Sequence, residues 1–480
     1  MRWTKTKLVS TLGPASRDEG TLRALIRAGM DVARINFSHG TAQEHAQGIS
    51  LVRRVASEEG RTVAVLADLA GPKLRVGRID PEPLRLEVGE SVTLVVGERA
   101  DRVGKAIAVP HPELFAAAHP GDRLLLGDGA IELAVEKVEK DRLVCRSVTA
   151  GDLFSHKGIA APGGIRFLAA LTEKDRQDVR FALAQGVDFL ALSFVRSRRD
   201  VDELRSLVVE IAGDPRTVGI VAKIEKREAL EHVDEILAAS DAIMVARGDL
   251  GVEVPAEEVP LHQKALIRSA NERGVPTITA TQMLLSMVES PRPTRAETSD
   301  VANAILDGTD AVMLSEETAV GRHPVLAAEM VVRIAAIVEE RLLPPARWRG
   351  ARPGEPRPSV EDAISETACA LAEEVGARLI VTPTTSGHTA RQVAKWRPRQ
   401  PIVALTTDPS VERRLALSFG VLPLLVPPYG TAEEAFVAAQ SDLLSRGLVS
   451  PGDLVVVTGG GRGARPGQTT FLKVERIGAR

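Results

Sequence analysis

At 480 residues with 44% hydrophobic content, the chain can bury a large core but is too long for a single ordinary one. About two to four domains are therefore expected. Lys plus Arg number 61 and Asp plus Glu 64, a net charge of −3, and aromatics are only 3%. That balance excludes the basic footprint and stacking platforms of a nucleic-acid binder, and polybasic attachment to a membrane. An anionic ligand must be held by local charge. The two cysteines, Cys145 and Cys369, allow neither a disulfide framework nor a C-x-x-C metal spacing, so a reducing, cytoplasmic setting is expected. No apolar run reaches the roughly 18 residues of a membrane span. Met1 to Ser10 leads into no apolar signal region.

In chain order, the first apolar run is Lys7 to Leu12, followed by Gly13-Pro14 and by Ser16-x-x-Glu19, read as a capping box opening a helix. The run Asp31 to Phe37 precedes a second box, Thr41-x-x-Glu44, and a third run spans Val63 to Leu69. The rhythm then breaks. From Lys73 to Phe167, short alternating runs at Leu84–Val88, Ser91–Val96, Arg123–Leu126, Ile131–Val135 and Leu143–Val148 are separated by Gly, Pro and Asp, which predicts a small all-β insertion.

Strand and helix alternate again from Thr172. Strands are predicted at Phe189–Ser193, Gly219–Ile224, Ala242–Ala246, Pro276–Ala280 and Ala311–Leu314, with a helix opened by Thr294-x-x-Glu297. Three strands before the insertion and five after it predict a (β/α)8 barrel, whose function sits at the carboxyl ends of its strands. The proline-rich stretch 342–358 reads as a linker. Beyond it, a helix near Val360 to Val375 and strands at Arg378–Thr382, Ile402–Leu405 and Leu454–Thr458 predict a doubly wound α/β domain. The expected division is thus a barrel of residues 1–72 and 169–341, a β-rich lid of 73–168, with the form of a small β-barrel, and a C-terminal domain of 359–480.

The second strand ends Arg34-Ile35-Asn36-Phe37-Ser38-His39-Gly40. Strand side chains alternate faces, so Arg34, Asn36 and Ser38 share one face at the barrel mouth. An arginine fork there suits phosphoryl oxygens. The fifth strand ends Lys223-Ile224-Glu225, and the sixth runs into Arg247-Gly248-Asp249-Leu250-Gly251. Two carboxylates at one mouth suit a hard divalent cation such as Mg2+, and a neighbouring lysine stabilises developing phosphoryl or enolate charge. Taken singly, each fragment is equally an ion pair or a turn at a strand end.

Together with Thr6 to Ser16, Ala280-Thr281-Gln282-Met283 and Pro291-Arg292-Pro293-Thr294-Arg295-Ala296-Glu297, these segments resemble, in order, the motifs of the pyruvate kinase family. Leu171 to Asp175 is similar to the segment where that family's barrel resumes. The resemblance spans essentially the whole chain. It implies transfer of a phosphoryl group from phosphoenolpyruvate to ADP, with Mg2+ as cofactor and Mn2+ as a substitute, and a homotetramer. It implies that Arg34 contacts the phosphoryl group and that Lys223 stabilises it together with the enolate oxygen. Glu225 and Asp249 would bind the metal, with Thr281 near the enolate carbon, Gly248 lining the substrate site, and Arg75 and Asp68 at the same mouth. His39 and Asn36 would belong to the substrate- or nucleotide-binding residues, and Lys157 would reach the nucleotide when the lid closes. Ile159-Ala160-Ala161 departs from the usual Val-Asn-Leu beside that lysine.

The third strand continues Asp68-Leu69-Ala70-Gly71-Pro72-Lys73-Leu74-Arg75, where the commoner family form is Asp-Thr-Lys-Gly-Pro-Glu-Ile-Arg. In that form K+ is held by residues matching Asn36, Ser38 and Asp68. Lys73 in place of the glutamate resembles the family's K+-independent branch, so K+ is expected not to be required; the alternative is a Lys73 that faces solvent at the hinge. Glu316, in Ser315-Glu316-Glu317-Thr318-Ala319, replaces the family's usual Gly. In the last domain, Thr384-Thr385-Ser386-Gly387-His388-Thr389 resembles the family's effector loop, with His388 where Arg is usual. With Arg462 and Arg465 of the glycine-rich 459–467 segment, it implies a sugar-phosphate or nucleotide effector. A carbon–carbon lyase on the same barrel would need neither the lid nor Lys157. A non-catalytic relative would have lost some of Arg34, Lys223, Glu225, Asp249 and Thr281, all of which are present.

Overall fold

A computed structural model describes residues 4–100, 105–127, 129–162, 170–341, 358–460 and 468–478. Eight parallel strands, β1 (Lys7–Leu12), β2 (Met30–Asn36), β3 (Ala64–Asp68), β4 (Phe189–Leu192), β5 (Gly219–Ile224), β6 (Ala242–Ala246), β7 (Thr277–Ala280) and β8 (Ala311–Leu314), close into a barrel in chain order. Period-two alternation divides each strand between two cores. Val9, Val32, Leu66, Val221, Met244 and Ile278 fill the barrel interior, while Leu8, Ala33, Val65 and Ala222 pack outward against the helices. Burial of each of these valine, leucine, isoleucine or methionine side chains contributes about 1.5–3 kcal/mol, and both faces are dry, so the strands read as unbroken apolar runs.

Two of the expected capping boxes form, at Thr41/Glu44 and Thr294/Glu297. The one expected at Ser16/Glu19 does not. Asp18 caps the helix Glu19–Ala28 by accepting from Thr21 N–H, because the Ser16 hydroxyl is already engaged by the Gly13 N–H at 3.1 Å. Glu316 opens a short helix, Glu316–Ala319, and faces solvent without a positive φ, so the position does not require glycine.

Between β3 and β4 the chain forms a six-stranded sheet and a separate two-stranded pair, Leu84–Leu86 with Gly151–Leu153. Four pieces of this region carried too short a signal to be anticipated: Ala106–Val109, the helix Pro112–Ala117, Gly151–Leu153 and Ile159–Ala160. Leu74, Val76, Leu94, Leu126, Leu133 and Leu153 belong to a core distinct from the barrel's. The C-terminal region has a five-stranded sheet with its last strand, Phe471–Arg476, antiparallel. Its edge strand, Val421–Leu425, contains Pro423, whose missing N–H is tolerated at an edge. The predicted linker lies outside the described residues except Pro358. Among the described residues no helix is long and apolar enough to cross a membrane.

The C-terminal domain seats on the amino-terminal floor of the barrel. Ala416 and Leu417 join the barrel's interior cluster. The Arg397 guanidinium pairs with both Asp310 oxygens at 3.0 Å, donates to Asn271 Oδ1 at 2.6 Å and lies 4.6 Å from the Phe419 ring centroid.

Candidate active site

At the opposite, carboxyl end of the barrel, the polar ends of β2, β3 and β5 converge. Strand register sets Thr11 beside Arg34, and Asn36 beside Asp68. Arg34 lies 2.6 Å through Nη2 and 2.7 Å through Nε from Asp68 Oδ2, and its Nη1 donates to the Thr11 hydroxyl at 2.9 Å. Lys223 Nζ lies 3.3 Å from Asp68 Oδ1 and 2.9 Å from Glu225 Oε1, and donates to the Ser193 hydroxyl at 2.8 Å. Ser193 in turn donates to the Leu69 carbonyl, and the Phe194 N–H donates to Glu225 Oε2 at 2.8 Å. The i, i+2 spacing of Lys223 and Glu225 thus does what strand alternation predicts.

The charges hold each other in place. Burial pushes the Asp68 carboxyl up, but Lys223 and Arg34 outweigh it and hold its pKa below the usual range. Lys223 is raised despite its burial, by Asp68 and Glu225, and is a fixed cation. Glu225 is raised by burial, a shift that Asp249 reinforces and Lys223 opposes. We take Glu225 as a carboxylate, because two donors at 2.9 and 2.8 Å favour the ionised form. Glu225 and Asp249 repel each other across the cleft while Lys223 and Lys73 partly offset their charge, and two carboxylates offering only oxygen donors are the chemistry of a hard-cation site.

Lys73 Nζ stands 3.5 Å from Asp249 Oδ1, both side chains a third or more exposed. These two residues and Glu225 line one cleft under the β-rich insertion. Asn36 accepts from the Ser38 N–H, and Ser38 and His39 are exposed on the rim. Arg75 and Lys157 lie in the neck of the insertion. Arg75 donates to the His156 carbonyl at 3.0 Å, the Lys157 carbonyl accepts from the Val76 N–H, and the Lys157 side chain faces solvent.

Thr281 and Gln282 have φ of 76° and 55°, a conformation that costs of order 1–3 kcal/mol at non-glycine residues. Arg247 braces this turn. It donates to the carbonyls of Ala280 at 3.1 Å and Thr281 at 2.7 Å, and pairs with Asp300 at 2.8 Å. Gly248 completes the fit, since a Cβ there would stand 2.7 Å from Thr281 Cγ2. Sequence reading missed Thr11, Ser193, Phe194 and the bracing role of Arg247. The available signal was position: each lies at or just beyond the carboxyl end of a barrel strand.

In the C-terminal domain, Thr384 accepts from the Gly387 N–H at 2.9 Å, and the Thr389 hydroxyl meets that of Thr469 at 3.1 Å. Thr385 is exposed and Ser386 half-buried. Burial lowers the pKa of His388, and Arg391 lowers it further, so this histidine is neutral at pH 7. Arg462 and Arg465 lie outside the described residues.

The chain matches the family model for the pyruvate kinase barrel domain over residues 3–328 and that for the pyruvate kinase alpha/beta domain over residues 362–475. It is 45% identical over 481 residues to pyruvate kinase 2 of Synechocystis sp., covering 99% of this chain and 80% of that one. Against a pyruvate kinase of Mycobacterium tuberculosis the identity is 43%, over 98% of both chains. The crystal structure of a pyruvate kinase from Cryptosporidium parvum aligns with a TM-score of 0.91 at 35% identity, over 99% of this chain and 96% of that one. The chain therefore belongs to the pyruvate kinase family of phosphotransferases.

Proposed function

We propose that this enzyme transfers the phosphoryl group of phosphoenolpyruvate to ADP, with Mg2+ and without a need for K+. The observation that carries the reading is the single bonded network of Arg34, Asp68, Lys223 and Glu225 at the carboxyl ends of three barrel strands. Arg34, aimed by Asp68 and Thr11, binds the phosphoryl oxygens. The bond from phosphorus to the enol oxygen breaks as a terminal phosphate oxygen of ADP bonds to phosphorus. Lys223 stabilises the charge left on the enolate oxygen. The enolate carbon then takes a proton on the side of Thr281, giving pyruvate. Glu225 and Asp249 are the residues that would hold Mg2+, which when bound neutralises phosphoryl charge. Mn2+ has the same oxygen preference. Lys157 and Arg75, in the neck, and His39, on the rim, serve the nucleotide side; Asn36 and Ser38 remain with Asp68 as the residues around the monovalent-cation position.

The K+ clause rests on Lys73, whose ammonium is already 3.5 Å from Asp249. The test is pyruvate formation from phosphoenolpyruvate and ADP in tetramethylammonium salts. Activity should vanish with EDTA, return with Mg2+, and change less than about fivefold on adding K+, a difference of about 1 kcal/mol. Lys73→Glu should create K+ dependence. Absence of pyruvate would overturn the reading, and strong K+ activation of the unmodified enzyme would remove its K+ clause.

The division at residues 72/73, 168/169 and 341/342, a cytoplasmic setting and a homotetramer belong to the same proposal. Separate cores, two free cysteines and exposed Leu261, Leu306 and Ile337 on the barrel helices support them in turn. Light scattering on the purified chain tests the tetramer. A sugar-phosphate or nucleotide effector at Thr384 to Thr389 is supported by the Gly387 turn, with φ of 78°. Phosphorylated sugars and nucleotides that move neither activity nor melting temperature would remove it.

A further inference from the structure

Between the barrel floor and the C-terminal domain lies a cleft of about 420 Å3. Of the loop Thr384–Thr389, only Thr385 and Ser386 border it. Its charged lining comprises four arginines (Arg205, Arg216, Arg391 and Arg414) against three aspartates (Asp214, Asp241 and Asp408). Two of the arginines are satisfied within the barrel. Arg205 pairs with Asp241 at 2.8 Å, and Arg216 pairs with Asp214 at 3.0 Å. The other two come from the C-terminal domain, and among the described residues neither forms an ion pair. Arg391 makes one long bond, 3.4 Å, to the Ser386 carbonyl. Arg414 donates to the Arg216 carbonyl and, at 3.5 Å, to the Ser410 hydroxyl. Asp408 is occupied in capping its own helix through the Ser410 N–H.

A third observation comes from Ser418, which also lines the cleft. It is 1% exposed, and among the described residues its hydroxyl has no hydrogen-bond partner. A buried hydroxyl without a partner is costly unless a ligand completes it, and the two half-buried guanidinium groups feel Asp241, Asp214 and Asp408 only from beyond ion-pair distance. Burial lowers the pKa of Arg391; Asp241 opposes this and Arg414 adds to it. An anion between the two arginines would relieve both the desolvation and the mutual repulsion.

We propose that this cleft is a binding site for a phosphate dianion, free or carried as a phosphate monoester, held by Arg391 and Arg414 with Ser418 and bridging the two domains. Arginine forks match phosphate oxygens, and the volume admits a ligand larger than phosphate itself. The site lies on the barrel floor, away from the Lys223 network, and goes beyond the effector loop proposed above.

The test is equilibrium dialysis of the full chain with labelled inorganic phosphate, the catalytic mouth being saturated with phosphoenolpyruvate and Mg2+. Glycerol 3-phosphate, as a competitor, distinguishes an ester from free phosphate by which binds more tightly. One site per subunit is expected. Arg391→Gln and Arg414→Gln should each weaken it at least about tenfold, as loss of a charge-assisted bond implies, while Thr384→Val leaves it unchanged. Arg414 is the less buried partner and covers the case in which Arg391→Gln does not fold. No phosphate bound, or binding lost in Thr384→Val yet retained within twofold in both arginine variants, would overturn the proposal. Pyruvate formation measured in parallel keeps this outcome separate from that of the catalytic reading.

Discussion

Arg247→Ala removes the brace behind Thr281 while leaving every group of the Lys223 network in place. Besides weaker contacts to Met283 Sδ at 2.8 Å and Gln263 Oε1 at 3.4 Å, the lost interactions are two charge-assisted bonds to the carbonyls of Ala280 and Thr281, each contributing about 1.5–3 kcal/mol when made by a charged donor. The pair with Asp300 adds little, since Asp300 is about a third exposed. About 3–6 kcal/mol of local bracing is therefore removed from a turn whose left-handed residues resist their conformation by about 1–3 kcal/mol each. If half of the lower figure reaches the transition state, kcat falls about tenfold, and at the upper figure more than a hundredfold. Arg247→Lys keeps the charge without the fork and should fall in between. In steady-state pyruvate formation kcat should drop with little change in the KM for phosphoenolpyruvate, because Arg34 and Lys223 are untouched. In a double-mutant cycle with Thr281→Ala the losses should be strongly non-additive. Additive losses, or a kcat for Arg247→Ala within threefold of the unmodified enzyme, would refute the bracing role.

Arg397→Ala leaves Asp310, 5% exposed, without its guanidinium partner, a change that typically costs about 3–5 kcal/mol; the first urea transition should move to lower concentration, and an unchanged transition would show that the two domains are held elsewhere. His45 stacks on Phe37 at 4.6 Å, and burial lowers its pKa. The native histidine is therefore neutral where the unfolded one begins to protonate, so its contribution is complete above about 6.5 and is lost as pH falls below that value. Thermal melts of His45→Phe should accordingly show a shallower acid decline than the parent, and parallel curves would contradict this. Burial pushes the Cys145 thiol up to about 12 and raises Cys369 as well; neither should react with a disulfide reagent at pH 8 until the chain is denatured, and rapid native labelling would count against the packing described.

Local chemistry carries much of the barrel. Unbroken apolar runs bounded by Gly, Pro and capping residues specify eight strands, and their alternation alone assigns Arg34, Asn36, Lys223 and Glu225 to the mouth. The capping boxes at Thr41 and Thr294 were legible, the one read at Ser16 did not form, the Gly13 N–H holding that hydroxyl, and those at Thr172 and Thr431 were not read. The insertion strands Ala106–Val109, Gly151–Leu153 and Ile159–Ala160 and the edge strand carrying Pro423 were not legible, because such short pieces gain their stability from neighbours distant in sequence.

Only the tertiary structure decided the pairings. Asp68 is shared between Arg34, 34 residues away, and Lys223, and Ser193 links Lys223 to β3. Arg247 reaches the turn at Thr281, and two arginines of the C-terminal domain meet the floor of the barrel. The physical reason is that sequence spacing sets which face of an element a side chain occupies, whereas barrel closure and domain docking set which faces meet. The sequence by itself therefore determined the family's residues and the mouth they occupy; the network that aims them, and the cleft beneath them, exist only once the eighth strand has closed on the first.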